Sequence, residues 1–140
     1  MRHGIQLCIG VDPDGVGTAH AAFAAFADAH GVPAGARRAV SVALDELLAN
    51  ELSHGMAGRP SREVMLGLTV DRACVTVTLS GDGAPFDPFA QAAPDTTLRV
   101  EERPVGGLGL HLVRELMDEV RYERRDGRNV VVLTKLLADG

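Results

Sequence analysis

The chain has 140 residues, about the length of one domain, with 14 basic and 19 acidic side chains and a net charge of −5. Hydrophobic residues make up 46% and charged residues 24%, which excludes a disordered tail, a collagen-like fibre and a disulfide scaffold. Aromatic residues are only 4%, with no Trp and one Tyr against 16 glycines, so the core must be aliphatic and the glycines need a reason.

Residues 5–11 form a short apolar run with β-branched members, closed by Asp12-Pro13-Asp14-Gly15, and read as a strand followed by a turn. Residues 16–30 are rich in alanine, with Phe23 and Phe26 on one helix face, and Gly31 ends that helix. A second helix is predicted over 33–54, where Val40, Leu44, Leu47 and Leu48 recur at helical spacing. Residues 64–70 and 74–79 alternate apolar with polar or small residues and join at Asp71-Arg72 as a hairpin. Residues 81–104 are the least regular, holding Pro85, Pro88, Pro94 and Pro104. A loop of that length is usually functional. Gly106-Gly107-Leu108-Gly109 opens a third helix over 108–117, with Leu108, Leu112, Val113 and Leu116 on one side. Strands over 120–123 and 129–136 follow, joined at Asp126-Gly127. Tight turns between strands make the pairs antiparallel. The fold class is therefore α/β of the α+β kind: a two-layer sandwich with one mixed, mostly antiparallel sheet and helices on one face.

The scattered basic residues argue against nucleic acid, and Arg121, Arg124, Arg125 and Arg128 are interrupted by Glu123 and Asp126. No run approaches the ~18 apolar residues of a membrane span. Cys8 and Cys74 each sit in an apolar run and read as two buried thiols in a reducing compartment, with a cytoplasmic location.

Three features carry chemistry. Glu46, Asn50 and His54 are spaced by four, which leaves about 40° of drift per step, so they form one stripe beside the buried arc of the second helix. A carboxylate there can act as a general base, and an amide oxygen suits Mg²⁺. Taken alone, the spacing is better accounted for by a partly solvated polar edge. Ser80-Gly81-Asp82-Gly83-Ala84-Pro85-Phe86-Asp87-Pro88 follows a strand, where glycine admits a ligand to the backbone and a carboxylate can accept from a base's amino group. An ordinary loop exit reads as well. Gly106, Gly107 and Gly109 open a helix whose free N–H groups can hold an anion.

Together, in order and spacing, the three resemble the Bergerat-fold ATPases, the histidine kinase, gyrase and heat-shock chaperone superfamily. The match is best to the stand-alone branch of anti-sigma factor serine/threonine kinases. Asp45-Glu46-Leu47-Leu48-Ala49-Asn50 with His54 matches the helix motif, Gly83 to Pro88 the loop motif, and Gly106-Gly107-Leu108-Gly109-Leu110-His111-Leu112-Val113 the glycine motif. The tail from Tyr122-Glu123-Arg124 through Asn129 and Leu133-Thr134 is also similar.

The resemblance implies an ATP-dependent protein-serine/threonine kinase that regulates a sigma factor by phosphorylating a small antagonist protein. It implies ATP and Mg²⁺ as cofactors. Glu46 would be catalytic and Asn50 would hold the metal. Asp82, Gly83 and Thr134 would meet the adenine, and Gly106, Gly107, Leu108, Gly109 and Leu110 would hold phosphates. Residues 84–105 would form an ATP lid within a single domain over 1–140. The partners implied are the antagonist, the sigma factor and a second copy of the chain, with no nucleic acid and no membrane.

Two positions depart from the family pattern. Gly81 stands where the family places the adenine-binding Asp, so Asp82 replaces that carboxylate only if a bulge re-aims it. Glu51 follows Asn50 where a small or apolar residue is usual, and needs a partner or a path to solvent. Gly81 supports a second reading, a degenerate module that binds regulatory partners and turns over little or no ATP.

Overall fold

The computed structural model describes residues 2–54, 63–83 and 107–137. In chain order these form β1 (His3–Gly10), α1 (Pro13–His30), α2 (Ala34–His54), β2 (Glu63–Val70), β3 (Cys74–Gly81), α3 (Gly107–Leu116), β4 (Glu119–Arg125) and β5 (Arg128–Leu136). The strands make one sheet in the order β1-β2-β3-β5-β4. All four pairings are antiparallel, so the sheet of the described residues is uniform rather than mixed.

Alternation along the strands decides the layers. Val64, Leu66, Leu68 and Val70 of β2, Val75, Val77 and Leu79 of β3, and Val131 and Leu133 of β5 are buried, and the register stacks them on one face. All three helices supply residues to that same core. They include Ala19, Phe23 and Phe26 of α1, Val40, Leu44, Leu47 and Leu48 of α2, and Val113 of α3. The result is the two-layer α+β arrangement with helices on one face. On the other face Thr76, Thr78, Ser80, Val130, Val132 and Thr134 remain half-exposed.

Helix α1 begins earlier than its apolar pattern implies. Asp12 is extended and accepts from the amide of Gly15 at 2.7 Å, and Pro13 occupies the first turn. The Asp12-Pro13-Asp14-Gly15 segment is therefore an N-cap, which uses the same residue types as a turn. Gly15 lies against the end of β1, where an added Cβ would stand 1.7 Å from the carbonyl oxygen of Gly10. Gly31 ends α1 in the left-handed region, with φ 65°.

Both tight hairpins form. Asp71 accepts from the amides of Ala73 and Cys74 at 2.7 and 2.9 Å. These two bonds, that from Cys74 foremost, hold its carboxyl below the ordinary value. Asp126 and Gly127 both have positive φ, the geometry of a two-residue hairpin turn.

Two expectations fail on strand and helix parity. Cys8 is exposed and Cys74 only half-buried, because each lies on the sheet face away from the helices, alternating with Leu7, Ile9 and Val75. Leu112 is exposed, while its neighbour Val113 carries the core contact of α3.

Candidate functional site

The stripe on α2 survives in three dimensions. Ala36, Ala39, Val40, Ala43, Leu44, Leu47 and Leu48 are buried, while Glu46 and Asn50 are half-buried on the flank of that arc. The helix packs against α1 and α3 and reaches β5. Asp45, next to Glu46, points elsewhere: its Oδ1 lies 3.3 Å from Nε2 of His20 on α1. Glu46 is thus the carboxylate of this motif that is turned away from the α1 contact, one helical turn from Asn50.

The end of β3 is the second part. Gly81 is the last strand residue and is buried, Asp82 is exposed one position beyond it, and Gly83 is buried. Asp82 does not take the inward position, since strand parity gives that to Gly81. Gly81 pairs with Asn129 of β5, and Asn129 pairs with Arg124 of β4. On the other side Gly81 pairs with Val64 and Val64 with Ile9. One row on the helix-facing side therefore crosses all five strands: Ile9, Val64, Gly81, Asn129 and Arg124.

Asn129 is the buried polar residue of this row, 8% exposed. Its Oδ1 accepts from the Tyr122 hydroxyl at 2.5 Å and from Arg124 at 3.3 Å. The same Arg124 nitrogen donates to the carbonyl of Gly83 at 2.8 Å. On the opposite face Arg128 donates to the hydroxyl and carbonyl of Ser80 at 2.7 and 2.9 Å. Two guanidiniums thus fix residues 80 and 83, where the chain leaves β3.

Sequence reasoning passed over Asn129, Tyr122 and Arg124 as site residues. The available signal was parity. Asn129 shares a face with Val131 and Leu133, whereas Thr134 does not. Thr134 lies on the open face, opposite Thr76 and Glu119, with its carbonyl taking the amide of Asp118 at 2.9 Å. Five residue steps along the strand separate it from Asn129, about 17 Å along the sheet. The register therefore sets Thr134 apart from the row at Gly81.

Gly107, Leu108, Gly109 and Leu110 form the first turn of α3, which carries no acidic residue. That leaves the positive end of the helix unopposed within its own first turn. Gly106 and the segment 84–105 lie outside the described residues, as do the side chains of Glu51 and His54.

The donors present suit a triphosphate and a hard cation. Among the described residues no three His, Cys, Asp or Glu side chains gather to hold a metal by themselves. A single amide oxygen beside a carboxylate fits Mg²⁺, which keeps waters and shares phosphate oxygens. The buried carboxamide and backbone groups around Gly81 and Gly83 offer polar partners to a base edge.

A helix carrying Glu46 and Asn50, a glycine-bearing strand end and a glycine-opened helix define a nucleotide-binding α+β domain. The chain belongs to the histidine kinase-like ATPase domain family, whose model matches residues 9–135. Its relatives include the serine/threonine-protein kinase BtrW of Bordetella bronchiseptica, 32% identical over 98 residues, covering 70% of this chain and 69% of that protein. The serine-protein kinase RsbW of Bacillus subtilis is 31% identical over 137 residues, covering 95% and 85%. Among solved structures, a chain of the SiaB-SiaC complex from Pseudomonas aeruginosa superposes with a TM-score of 0.61 at 17% identity, covering 94% of this chain and 89% of that one. At that identity the likeness concerns the fold alone. No described helix is long and apolar enough to cross a membrane.

Proposed function

We propose that this protein is an ATP-dependent serine/threonine protein kinase that acts as an anti-sigma regulator by phosphorylating a small antagonist protein. The observation that carries this reading is the half-buried pair Glu46 and Asn50, one turn apart on α2, in a chain of this ATPase family. The names of the relatives support the serine/threonine acceptor.

In this reading Asn50 holds Mg²⁺ through its amide oxygen, and the first turn of α3 with Gly106 receives phosphate oxygens. Bound ATP and Mg²⁺ supply a transferable γ-phosphoryl group and neutralise its charge. Glu46 takes the proton from the acceptor hydroxyl as that oxygen bonds to phosphorus and ADP leaves. Residues 84–105 serve as the lid, residues 1–140 act as one cytoplasmic domain, and the working form is a homodimer.

Incubation with γ-labelled ATP, Mg²⁺ and a panel of small antagonist proteins tests the reading. Label on a serine or threonine of one of them, lost with Glu46→Gln, is the expected result. Phosphate release without labelled protein contradicts it.

Gly81 favours a second reading, a module that holds protein partners and turns over little ATP. It predicts partner binding that ATP and Asn50→Ala leave unchanged.

A further inference from the structure

We infer that two copies of this chain join through the margin formed by strand β1 and the outer flank of α1. The two β1 strands pair antiparallel across a twofold axis, which makes one continuous sheet from the two five-stranded ones, with both α1 helices packed above the seam. This rests on the homodimer of the proposed function and names the face that makes it.

Among the described residues the sheet has two open edges, and they differ. At one edge, the seven residues of β4 include Glu119, Arg121, Glu123, Arg124 and Arg125, all exposed. Arg121 pairs with Glu119 at 3.1 Å, and Arg125 with Glu123, within the strand. Charges of this kind keep a second strand from docking. At the other edge, the eight residues of β1 include no Asp, Glu, Lys, Arg or Pro. The register of β1 against β2 runs unbroken from His3 with Val70 to Gly10 with Glu63, so no bulge turns this edge away. Alternate residues of β1 therefore present N–H and C=O groups outward, a template for another extended strand.

The helix layer has the same character on the same side. α1 packs over β1 and β2, while α2 lies inboard of it and reaches β5. The contact of His20 with Asp45 of α2 marks the inboard flank of α1. At about 100° per residue, Thr18, Ala22, Ala25 and Ala29 lie about 140–180° round the helix from His20, on the flank that looks out past β1. Ala22 is half-buried and the other three are exposed. The Thr18 hydroxyl donates to the Asp14 carbonyl of its own helix at 3.0 Å. A solvent-facing flank usually carries charge, and this one carries none. On β1, Ile5 is 43% exposed although its parity with the buried Ile9 turns it toward the helix layer.

A second copy fits this margin because both of its layers match themselves under one rotation, as an isologous interface requires. β1 has eight residues and α1 eighteen, and each therefore spans about 27 Å. Paired strands lie about 4.8 Å apart, so helices seated over the gap between β1 and β2 stand about 10 Å from their twofold mates. That is the distance of helices in contact, about 8–10 Å, and its shorter values need small facing side chains. Thr18, Ala22, Ala25 and Ala29 supply them. A lone strand from a different partner would fill the sheet edge and leave the α1 flank bare. The margin is about 27 Å long and about 20 Å deep, helix on sheet, so two copies cover about 1,000 Å² in total, the size at which specific interfaces begin.

The test is sedimentation equilibrium of the native chain beside Gln6→Lys, Ala25→Glu and Arg121→Ala. Gln6 and Ala25 are both exposed in a single copy, so the two changes spare the fold of the monomer. The native chain is expected to be a dimer. Gln6→Lys and Ala25→Glu are each expected to weaken it by about tenfold or more, and Arg121→Ala, on the β4 edge, to leave it unchanged. Hydrogen exchange reads the same surface without a substitution. The β1 amides of the native chain are expected to exchange more slowly at high than at low protein concentration, and those of β4 at one rate. A native dimer that neither margin variant weakens, or whose β1 amides ignore concentration, overturns this interface and leaves the homodimer standing. A folded native chain that stays monomeric overturns both, while the labelling assay judges phosphoryl transfer separately. Protection of the β1 amides only when an antagonist protein is added gives the margin to that partner and overturns the inference.

Discussion

The guanidinium of Arg124 reaches back 41 residues to donate to the carbonyl of Gly83, and so ties the edge strand β4 to the exit of β3. It is one of four arginines that look like a solvated basic cluster in the sequence. The hairpin with β5 brings it onto the helix-facing side, beside Asn129. Replacing Arg124 by Ala removes two hydrogen bonds at once, to Gly83 and Asn129. Because the side chain is partly exposed, the expected stability loss is about 1 kcal/mol, below the full value of a charged hydrogen bond. If the proposed function holds with the base at the end of β3, ATP affinity is expected to fall about five- to tenfold. Arg124→Lys should not rescue it, because its ammonium nitrogen falls one bond short of the guanidinium nitrogen that makes both contacts. Titration calorimetry on the three proteins checks this.

Glu46→Gln tests the proton-accepting role separately from binding. The amide keeps the size and the hydrogen-bonding reach of the side chain but accepts no proton at neutral pH. Phosphoryl transfer is expected to drop by about 10²–10⁴-fold while ATP affinity changes little. Single-turnover assays beside equilibrium binding separate the two quantities. Equal losses in both would assign Glu46 to binding.

Gly15 and Asp12 together set the junction of β1 and α1. A methyl group at Gly15 would meet the Gly10 carbonyl oxygen at 1.7 Å, so backbone must move. Gly15→Ala is expected to destabilise by about 1–3 kcal/mol or more, as overpacking does. Asp12→Ala removes the cap bond to the amide of Gly15 and should cost about 1 kcal/mol. Urea midpoints measure both, and Gly17→Ala, with open space around its Cβ, serves as the control.

The Asp71 turn gives a pH dependence of known sign. Its carboxyl is held below the ordinary value by the amides of Cys74 and Ala73, so the folded form binds the proton less readily than the unfolded chain. Its contribution is present in full above the unfolded value near 3.8 and is lost as pH falls through and below it. In urea melts, the native protein should lose stability on acidification more steeply than Asp71→Asn. Parallel curves would contradict the assignment.

Local pattern made most of the architecture legible. The alternation of Val64, Leu66, Leu68 and Val70 and the helical recurrence of Val40, Leu44, Leu47 and Leu48 are nearest-neighbour signals, and both mark the core. Glu46 and Asn50 were equally readable, because a helix fixes its own face. The arrangement around the end of β3 was not. Which face Asn129 or Thr134 occupies depends on the register of β5 against β3, a long-range property that no turn adjoining β5 dictates. The tail motif points to Thr134, which lies on the open face, whereas Asn129 shares the buried face of Val131 and Leu133. Composition failed for Cys8 in the same way: an apolar run says that a strand is half-buried, not which half.

The most direct test of the central claim is equilibrium binding of ATP to the native chain with and without Mg²⁺, repeated with Asn50→Ala. The account predicts binding that Mg²⁺ strengthens, and an Asn50→Ala defect that shows only when Mg²⁺ is present. No ATP binding by the native chain, with tight binding gained by Gly81→Asp, would contradict it.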